Sequence, residues 1–406
     1  MCGPLTGIRV LDLGQYIAGP GAGQTLADLG ADVLKVESLS GDQARGIGTF
    51  GEAMVQAYNR DKRSIALDLG REEGREILHK LLAEADVLVQ NFRHGSAERL
   101  GIGPDELSRR YPRLVHGGVT GFGVNGPSRG RPGLDIAAQA EFGLMYATGE
   151  ADGEPQRLGL PVADVTAANA LATGILAALF QRTSTGRGAH VQTSLMEATL
   201  SMQASNWGEY TLTGQAPRRK GNGQALVAPG ADVVTVADGT IVLSAYTAEK
   251  WSALCNLIDR PELIDDPRFV DNPARVAHRA ELLAALSEAF GAMTRHQAVE
   301  RLQSAGIVCG AVRSFDDLVD DKDVAASEIL VDVATSDGGR YTSPGLAFTL
   351  DGRRRTTSVS APVVGQHTVA VLRDLGYPDS AVAALLDSRV VGAPAFSLRQ
   401  IERHSS

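Results

Sequence analysis

The chain contains few cysteines and few aromatic residues. Its 406 residues include three cysteines, Cys2, Cys255 and Cys309, and aromatic residues make up only 5% of the composition. An odd number of widely spaced cysteines fits neither a disulfide framework nor a zinc site, and no metal ligands are predicted. A reduced, cytoplasmic compartment is therefore expected.

The sequence also lacks a long uncharged apolar run, a leader-like start and an excess of basic residues. No stretch approaches eighteen uncharged apolar residues, so no membrane partner is expected. The N-terminus, MCGPLTGIRVLDL, has no basic start with a long apolar core and is not typical of a signal peptide. The net charge of −9 argues against non-specific nucleic-acid binding, so no nucleic-acid partner is expected.

The remaining composition is that of an ordinary globular protein. Hydrophobic residues make up 43% and charged residues 21% of the chain. A length of 406 residues predicts two or three domain-sized units.

Residues 8–37 predict a βαβ unit. An apolar strand is followed by a glycine-rich turn at 14–23, a helix and a second strand ending at Glu37, which is typical of a parallel sheet. One interpretation is a dinucleotide site with Glu37 on the ribose. The signal for such a dehydrogenase is weak, because Gly19, Gly21 and Gly23 form G-x-G-x-G rather than G-x-G-x-x-G.

A long buried helix is predicted directly after Asp164. Apolar residues recur at three- and four-residue spacing between 165 and 179, and Arg182 closes the helix. A turn at 185–188 and a strand at 189–194 follow. An Asp before a helix is usually an N-cap. Ala167 gives no capping box, however, and a capping Asp keeps one oxygen free for chemistry.

Other candidates lie in or next to predicted strands. Asn91 and Phe92 follow the buried strand 87–90, and ligands of open α/β sheets bind at that end of a strand. An Asn-Phe pair there suits contact with adenine or pantetheine. Lys62 and Arg63 are interpreted as solvated surface charges. His116 is interpreted as a core histidine whose hydrogen bonds are satisfied.

Several blocks in a fixed order resemble the family III CoA-transferases. They are the segment 161–164 ending in Asp164, the GILAAL run at 174–179, the TGRG run at 185–188 and the N-x-x-K-R-S-I pattern at 59–65. The resemblance extends from about residue 5 to about residue 391. The family includes formyl-CoA and carnitine CoA-transferases and the bile-acid-inducible F group, and it is related to the α-methylacyl-CoA racemases.

The resemblance implies an α/β fold with a Rossmann-like, parallel-sheet large domain and a smaller α+β domain. The expected boundaries are 1–205 for the N-terminal part of the large CoA-binding domain, 206–225 for a linker, 226–335 for the small domain and 336–406 for a return segment. An interlocked homodimer is also implied. Residues 213–230 are a candidate active-site lid.

The resemblance further implies that the enzyme transfers CoA from an acyl-CoA thioester to a free carboxylic acid. Asp164 matches the family's nucleophile and would form an aspartyl anhydride and then an aspartyl–CoA thioester. With a reference pKa near 3.9, an Asp is ionised at neutral pH. No tightly bound cofactor is expected, since coenzyme A is a substrate. The implied CoA-binding residues are Gln15, Tyr16, Ile17, Ala18, Leu67, Asn91, Phe92, Arg99 and Leu195.

Three alternatives remain open. The first is a racemase or another CoA-ester enzyme on the same fold, but the racemases carry a His before the residue matching Asp135, where this chain has Leu134. Asp135 itself is interpreted as structural. The second alternative is the nucleotide-dependent dehydrogenase. The third is a non-catalytic CoA-binding relative.

Overall fold

The structure is a computed structural model that describes residues 3–223, 231–335, 338–355 and 357–394. The chain forms two compact units. Unit 1 contains Met1–Phe142, Gly159–Ser205 and Asp323–Ser406, and unit 2 contains Gly143–Leu158 and Asn206–Lys322. The candidate lid at 213–230 lies partly outside the described residues.

Unit 1 is organised around a seven-stranded sheet. Its parallel strands are β1 (Arg9–Asp12), β2 (Asp32–Glu37), β3 (Arg63–Leu67), β4 (Val87–Gln90), β5 (Val115–Thr120) and β6 (His190–Ser194). The order across the sheet is β12-β3-β2-β1-β4-β5-β6, where β12 (Val391–Gly392) pairs antiparallel with β3. Strands β2 and β3 lie on one side of β1, and strands β4, β5 and β6 lie on its other side. Such a reversal of the strand order opens a crevice at the carboxyl ends of β1 and β4.

Helices cover both faces of this sheet. The further elements of unit 1 are α1 (Ala18–Asp28), α2 (Gly48–Tyr58), α3 (Glu72–Glu84), α4 (Ser96–Arg99), α5 (Pro104–Arg110), α6 (Asp135–Glu141), α8 (Val162–Thr185), α9 (Leu195–Ser201), α16 (Lys322–Ser327), α17 (Thr368–Asp374), α18 (Asp379–Asp387) and the hairpin β10 (Leu330–Ala334) with β11 (Arg340–Pro344). The helix α10 (Ala204–Thr213) begins in unit 1 and belongs mostly to unit 2. Apolar residues of α1 and α8 form one core and those of α3, α17 and α18 form the other. The predicted α/β class with a large parallel sheet is therefore confirmed.

Unit 2 is a smaller α+β unit with its own core. Its antiparallel sheet has the order β7-β8-β9, and its elements are β7 (Ala231–Val236), β8 (Gly239–Ser244), β9 (Val308–Ala311), α7 (Leu144–Ala147), α11 (Ala248–Leu257), α12 (Asn272–Ala277), α13 (Arg279–Phe290), α14 (Arg295–Ser304) and α15 (Phe315–Val319). Trp251, Leu286 and Phe290 are buried in the apolar cluster between the sheet and its helices.

The helix α8 corrects one expectation. Among the described residues, it is long and apolar enough to cross a membrane when judged by length and composition alone. The sequence argument that no segment approaches this size is therefore wrong. One face of α8, including Ala167, Leu171 and Ile175, is buried in the core of unit 1 beside β5. This is the placement of a core helix.

Two segments expected to be irregular are helical. The predicted glycine-rich turn ends early, because α1 already begins at Ala18. Gly21 and Gly23 serve close packing, since a Cβ on Gly23 would lie 2.7 Å from the Asp12 carboxylate. The first part of the predicted linker is α10, which ends where Gly214 adopts a positive φ of 70°.

Candidate active site

Asp164 lies in the first turn of α8 but does not cap it. The helix begins at Val162, and the N-cap position is Pro161, which makes no side-chain hydrogen bond to the helix. The expectation that Asp164 is the N-cap is therefore wrong. Two apolar residues between Pro161 and Asp164 extend the helix by most of a turn, so the Asp164 carboxyl is not needed for the backbone.

Asp135 supplies the missing cap from another helix. Its Oδ1 accepts a hydrogen bond of 2.8 Å from the Ala163 backbone nitrogen and lies 3.4 Å from the Asp164 backbone nitrogen. The Gln139 amide, buried one turn further along α6, donates to Asp135 Oδ2 at 2.6 Å. The structural interpretation of Asp135 is confirmed, and its function is to hold the first turn of α8.

The surroundings of Asp164 disfavour its charged form. Burial, together with the nearby negative charge of Asp135, raises the pKa of Asp164 to about 7. The expectation of full ionisation at neutral pH, taken from the reference pKa, is therefore wrong. A carboxyl group with this pKa changes its protonation state within the physiological range.

The loop after β1 and the first turn of α8 share one apolar cluster. Ile17 is buried there, and Tyr16, Tyr58 and Val165 pack against it while remaining partly exposed. The structure thus brings two residues predicted to contact CoA, Tyr16 and Ile17, into the same apolar cluster as the residue that follows Asp164.

Hydrogen bonds hold this loop in a strained conformation. Tyr16 has a φ of 61°, which is uncommon for a residue with a bulky side chain. Asn91, at the end of β4, accepts from the Gln15 nitrogen at 2.9 Å and donates to the Gln15 oxygen at 2.8 Å. Asp42 accepts from the Tyr16 nitrogen at 3.1 Å. Strain of this kind persists when its surroundings impose it, and it is concentrated at functional sites.

A buried network of ion pairs also contacts the backbone of this loop and of the first turn of α1. Lys62 contacts Asp12 at 2.7 Å and donates to the Pro20 oxygen at 2.8 Å. Lys35 pairs with Asp42 at 2.9 Å and donates to the Gly14 oxygen at 2.9 Å. The interpretation of Lys62 as a solvated surface charge is wrong, because tertiary pairing buries its ammonium group. Burial lowers the pKa of Lys62 to about 8, although Asp12 opposes the shift.

The other predicted CoA-binding residues fall into two groups. Phe92 is half-buried and Arg99 is exposed, and both follow β4 at the crevice edge of the sheet. No ion pair joins Arg99 to any of the residues that the structure describes; its guanidinium donates to the Ser96 hydroxyl at 2.7 Å. Leu67 and Leu195 lie in the two apolar cores, so only their backbone groups could face a ligand.

His116 departs from its sequence-based interpretation. It is buried as expected, but within the described part of the chain neither ring nitrogen has a hydrogen-bond partner. Its ring stacks on His190 with centroids 4.8 Å apart. Burial, with a smaller effect of His190, lowers the pKa of His116 to about 3. His116 is therefore a neutral packing residue at neutral pH.

The geometry also weakens two of the alternatives. Glu37 is buried, and its carboxylate accepts from Asp42, Arg45 and Ser64, which leaves it unsuited to bind a ribose. Leu134 stands where the racemases carry a His and is 62% exposed. Its apolar side chain cannot act as an acid or a base, which weakens the racemase alternative.

Comparison with known proteins identifies the same family that the sequence blocks resemble. The sequence model of CoA-transferase family III matches residues 5–368. A probable fatty acyl-CoA transferase of Mycobacterium tuberculosis is 36% identical over 81% of this chain and 88% of its own. The succinate–glutarate CoA-transferase of Agrobacterium fabrum is 32% identical over 92% of this chain and 96% of its own. The crystal structure of a CaiB/BaiF family protein from Brucella suis superposes with a TM-score of 0.83 at 34% identity, covering 92% of this chain and all of that one.

The parallel-sheet fold and the relatives that match it over most of its length are those of a CoA-ester enzyme. The chain belongs to CoA-transferase family III. It is a CoA-transferase, and its relatives act on acyl-CoA and carboxylate substrates.

Sequence reasoning missed two neighbours of Asp164. The role of Asp135 in holding α8 could not be read from spacing, because 28 residues separate Asp135 from Ala163. Tyr58 was not singled out, although it directly precedes the block that begins at Asn59. That adjacency is the only signal in the sequence that could have drawn attention to it.

Proposed function

We propose that this enzyme transfers coenzyme A from an acyl-CoA thioester to a free carboxylic acid, with Asp164 as the covalent nucleophile. The observation that carries the proposal is the placement of Asp164. Its carboxyl group is freed from capping by Asp135 and is partly desolvated, and the next residue, Val165, packs against the same apolar cluster as the loop after β1. A structural carboxyl group would not need this arrangement.

The reaction begins with the ionised form of Asp164. A carboxylate oxygen attacks the thioester carbon, the carbonyl electron pair moves to oxygen, and collapse breaks the C–S bond to give an aspartyl anhydride and CoA thiolate. The thiolate attacks the aspartyl carbonyl, forming an aspartyl–CoA thioester and releasing the donor acid. The acceptor carboxylate then repeats the steps in reverse order. Each intermediate stays activated, so the sequence of steps is balanced without another reactant.

We place CoA at the crevice edge of the sheet. The proposed contacts come from the loop after β1 and the segment after β4, with backbone contacts at Leu67 and Leu195. The residues of the two segments are Gln15, Tyr16, Ile17, Ala18, Asn91, Phe92 and Arg99. Arg99 is suited to phosphate because its guanidinium donates paired hydrogen bonds. The Asn91 clamp on Gln15 keeps the loop preorganised, so less conformational freedom is lost on binding.

The test is chemical trapping on the intact enzyme. Hydroxylamine added during turnover with acyl-CoA is expected to convert the Asp164 side chain to a hydroxamate, found by peptide mass spectrometry. Exchange of label between acyl-CoA and free acid is expected to be lost in Asp164→Asn, which preserves size and hydrogen bonding. An Asp164→Asn variant with wild-type exchange and no adduct on that peptide would refute the mechanism.

The raised pKa of Asp164 is the one observation that favours a racemase as a second candidate, since acid–base catalysts need a pKa near the working pH. Racemisation also needs a second base, and Leu134 cannot provide it. Deuterium wash-in at the α-carbon of 2-methylacyl-CoA separates the candidates. The transferase is expected to show little or no loss of stereochemistry.

From the family resemblance we further propose an interlocked homodimer and a cytoplasmic location. Light scattering at micromolar concentration is expected to give twice the mass of the chain. A monomer under those conditions would refute the interlocked assembly without affecting the proposed chemistry. Cell fractionation with an antibody to the chain tests the location, and the protein is expected in the soluble cytoplasmic fraction.

A further inference from the structure

Tyr58 is placed beside Asp164 by three helices. It is the last residue of α2, and its ring lies 3.5 Å from the position that a Cβ on Gly21 of α1 would occupy. The Ala168 Cβ of α8 lies 3.0 Å from the same position. Asp164 and Ala168 are four residues apart and therefore share one side of α8. The Tyr58 ring thus packs one turn from the Asp164 carboxyl, on the same side of the helix.

The hydroxyl of Tyr58 has no partner within the described residues. Three other partly buried tyrosines differ: Tyr16 bonds Gln43 at 3.0 Å, Tyr111 bonds the His79 oxygen at 3.1 Å, and Tyr341 bonds the Gln56 oxygen at 3.0 Å. The Tyr58 hydroxyl is not among the buried polar atoms that lack a partner, so it is open to solvent and to a ligand. Tyr58 therefore presents an unused, accessible donor on a ring that packs near α8, one helical turn from Asp164.

Acyl transfer is accelerated by a hydrogen-bond donor at the carbonyl oxygen of the thioester. When the Asp164 carboxylate attacks a thioester, negative charge develops on the carbonyl oxygen, and donors aimed at that oxygen stabilise the transition state. The hydroxyl remains protonated throughout the pH range of the reaction, because burial and the charge of Asp164 raise the pKa of Tyr58.

We propose that Tyr58 is a further catalytic residue, whose hydroxyl donates a hydrogen bond to the carbonyl oxygen of the thioester as Asp164 attacks it. The inference rests on the proposed function. In the step, the new C–O bond forms to Asp164 and the carbonyl electron pair moves onto the oxygen that Tyr58 contacts. The C–S bond then breaks and CoA leaves as thiolate, and the Tyr58 proton stays in place.

Tyr58→Phe tests this role, because it removes the donor and keeps the ring that fills the space above Gly21. The matched control is Tyr111→Phe, which removes a hydrogen-bonded hydroxyl from a half-buried tyrosine that contacts His79 rather than the site. Rates of acyl-enzyme formation are followed by rapid quench and mass spectrometry, and KM for acyl-CoA is measured in parallel.

Tyr58→Phe is expected to slow acylation by on the order of 10²-fold, with KM for acyl-CoA nearly unchanged, since the hydrogen bond strengthens in the transition state. Tyr111→Phe is expected to keep the wild-type rate. If Tyr58→Phe acylates within twofold of the wild type, or if both variants slow equally, the assignment of Tyr58 is overturned while the proposed function stands. If the wild-type enzyme forms no acyl-enzyme and exchanges no label, the proposed function fails, and the role of Tyr58 fails with it.

Discussion

The Oδ1 atom of Asp135 lies 3.4 Å from the backbone nitrogen of Asp164, so the carboxylate of one aspartate contacts the backbone of the other. Its stronger hydrogen bond, of 2.8 Å, is to the neighbouring Ala163 nitrogen. This contact fixes the first turn of α8 and also places a negative charge near the Asp164 side chain. Asp135 therefore positions the proposed nucleophile and adds to the effect of burial on its protonation.

The pH dependence of acylation is expected to follow the ionisation of Asp164. Only the carboxylate attacks, and burial together with Asp135 raises the pKa of Asp164 to about 7. The acylation rate should therefore rise with pH through about 7 and level off above it. Single-turnover measurements between pH 5 and pH 9 check this, and a rate already constant from pH 5 upward would contradict it.

Because its pKa is raised, the ionised Asp164 is expected to destabilise the folded protein at high pH. A group whose pKa is raised on folding stabilises the folded state below its unfolded pKa, and this contribution is lost as pH rises through the folded pKa. Asp164→Asn removes the charge, so its free energy of unfolding should exceed that of the wild type at pH 8, by at most about 4 kcal/mol. At low pH, where Asp164 is protonated, the two proteins should unfold alike in urea. Equal stability at both pH values would argue against a raised pKa.

Asp135→Asn is expected to move the acid limb of the acylation profile to lower pH. Burial, the larger cause of the shift, remains, while the second cause, the Asp135 charge, is removed. The Asn oxygen can still accept from the Ala163 nitrogen, so α8 keeps its cap. Asp135→Ala is the control, since it removes the charge and the cap together and should also lower the plateau rate. An unmoved limb in Asp135→Asn would show that the Asp135 charge does not act on Asp164.

Lys62→Met should strongly destabilise unit 1. The substitution leaves the Asp12 carboxylate buried and without its 2.7 Å partner, and breaking a buried pair in this way costs about 3–5 kcal/mol. Arg63→Met is the matched control, because the pair of Arg63 with Asp32 is exposed and contributes about 0–1 kcal/mol. Urea unfolding measures both. Similar losses in the two variants would mean that Lys62 does not carry the buried network.

Arg99→Ala should weaken binding of CoA by about 1–3 kcal/mol if the guanidinium meets a phosphate. Arg109→Ala provides the control, because Arg109 is exposed on α5 and pairs with Glu106. Calorimetric titration with CoA measures both variants. Unchanged affinity in Arg99→Ala would remove Arg99 from the proposed site, and equal losses in both would point to a general effect of surface charge.

The sequence by itself determined the elements that depend on neighbouring residues. The apolar run of β4 and the three- and four-residue spacing of α8 reflect burial of one strand or one helical face, so both elements were predicted. The ordered blocks around Asp164 likewise led to the family. Local reasoning failed where packing overrides it. Gly21 and Gly23 were predicted to be turn residues, but both lie in α1, where the absence of a Cβ leaves room for Ala168 and Asp12.

Only the tertiary structure decided the electrostatics and the partners. Lys62, which directly precedes β3, is buried and pairs with Asp12 of β1, 50 residues away in the chain. His116 is buried without a partner and stacks on a strand neighbour. The cap of α8 comes from Asp135 on α6, which frees the Asp164 carboxyl, and burial, with a smaller effect of the Asp135 charge, raises the pKa of Asp164. Residue type and spacing fix which groups are present, but charge pairing and desolvation depend on distances between segments that are far apart in the chain, and those distances exist only in the folded protein.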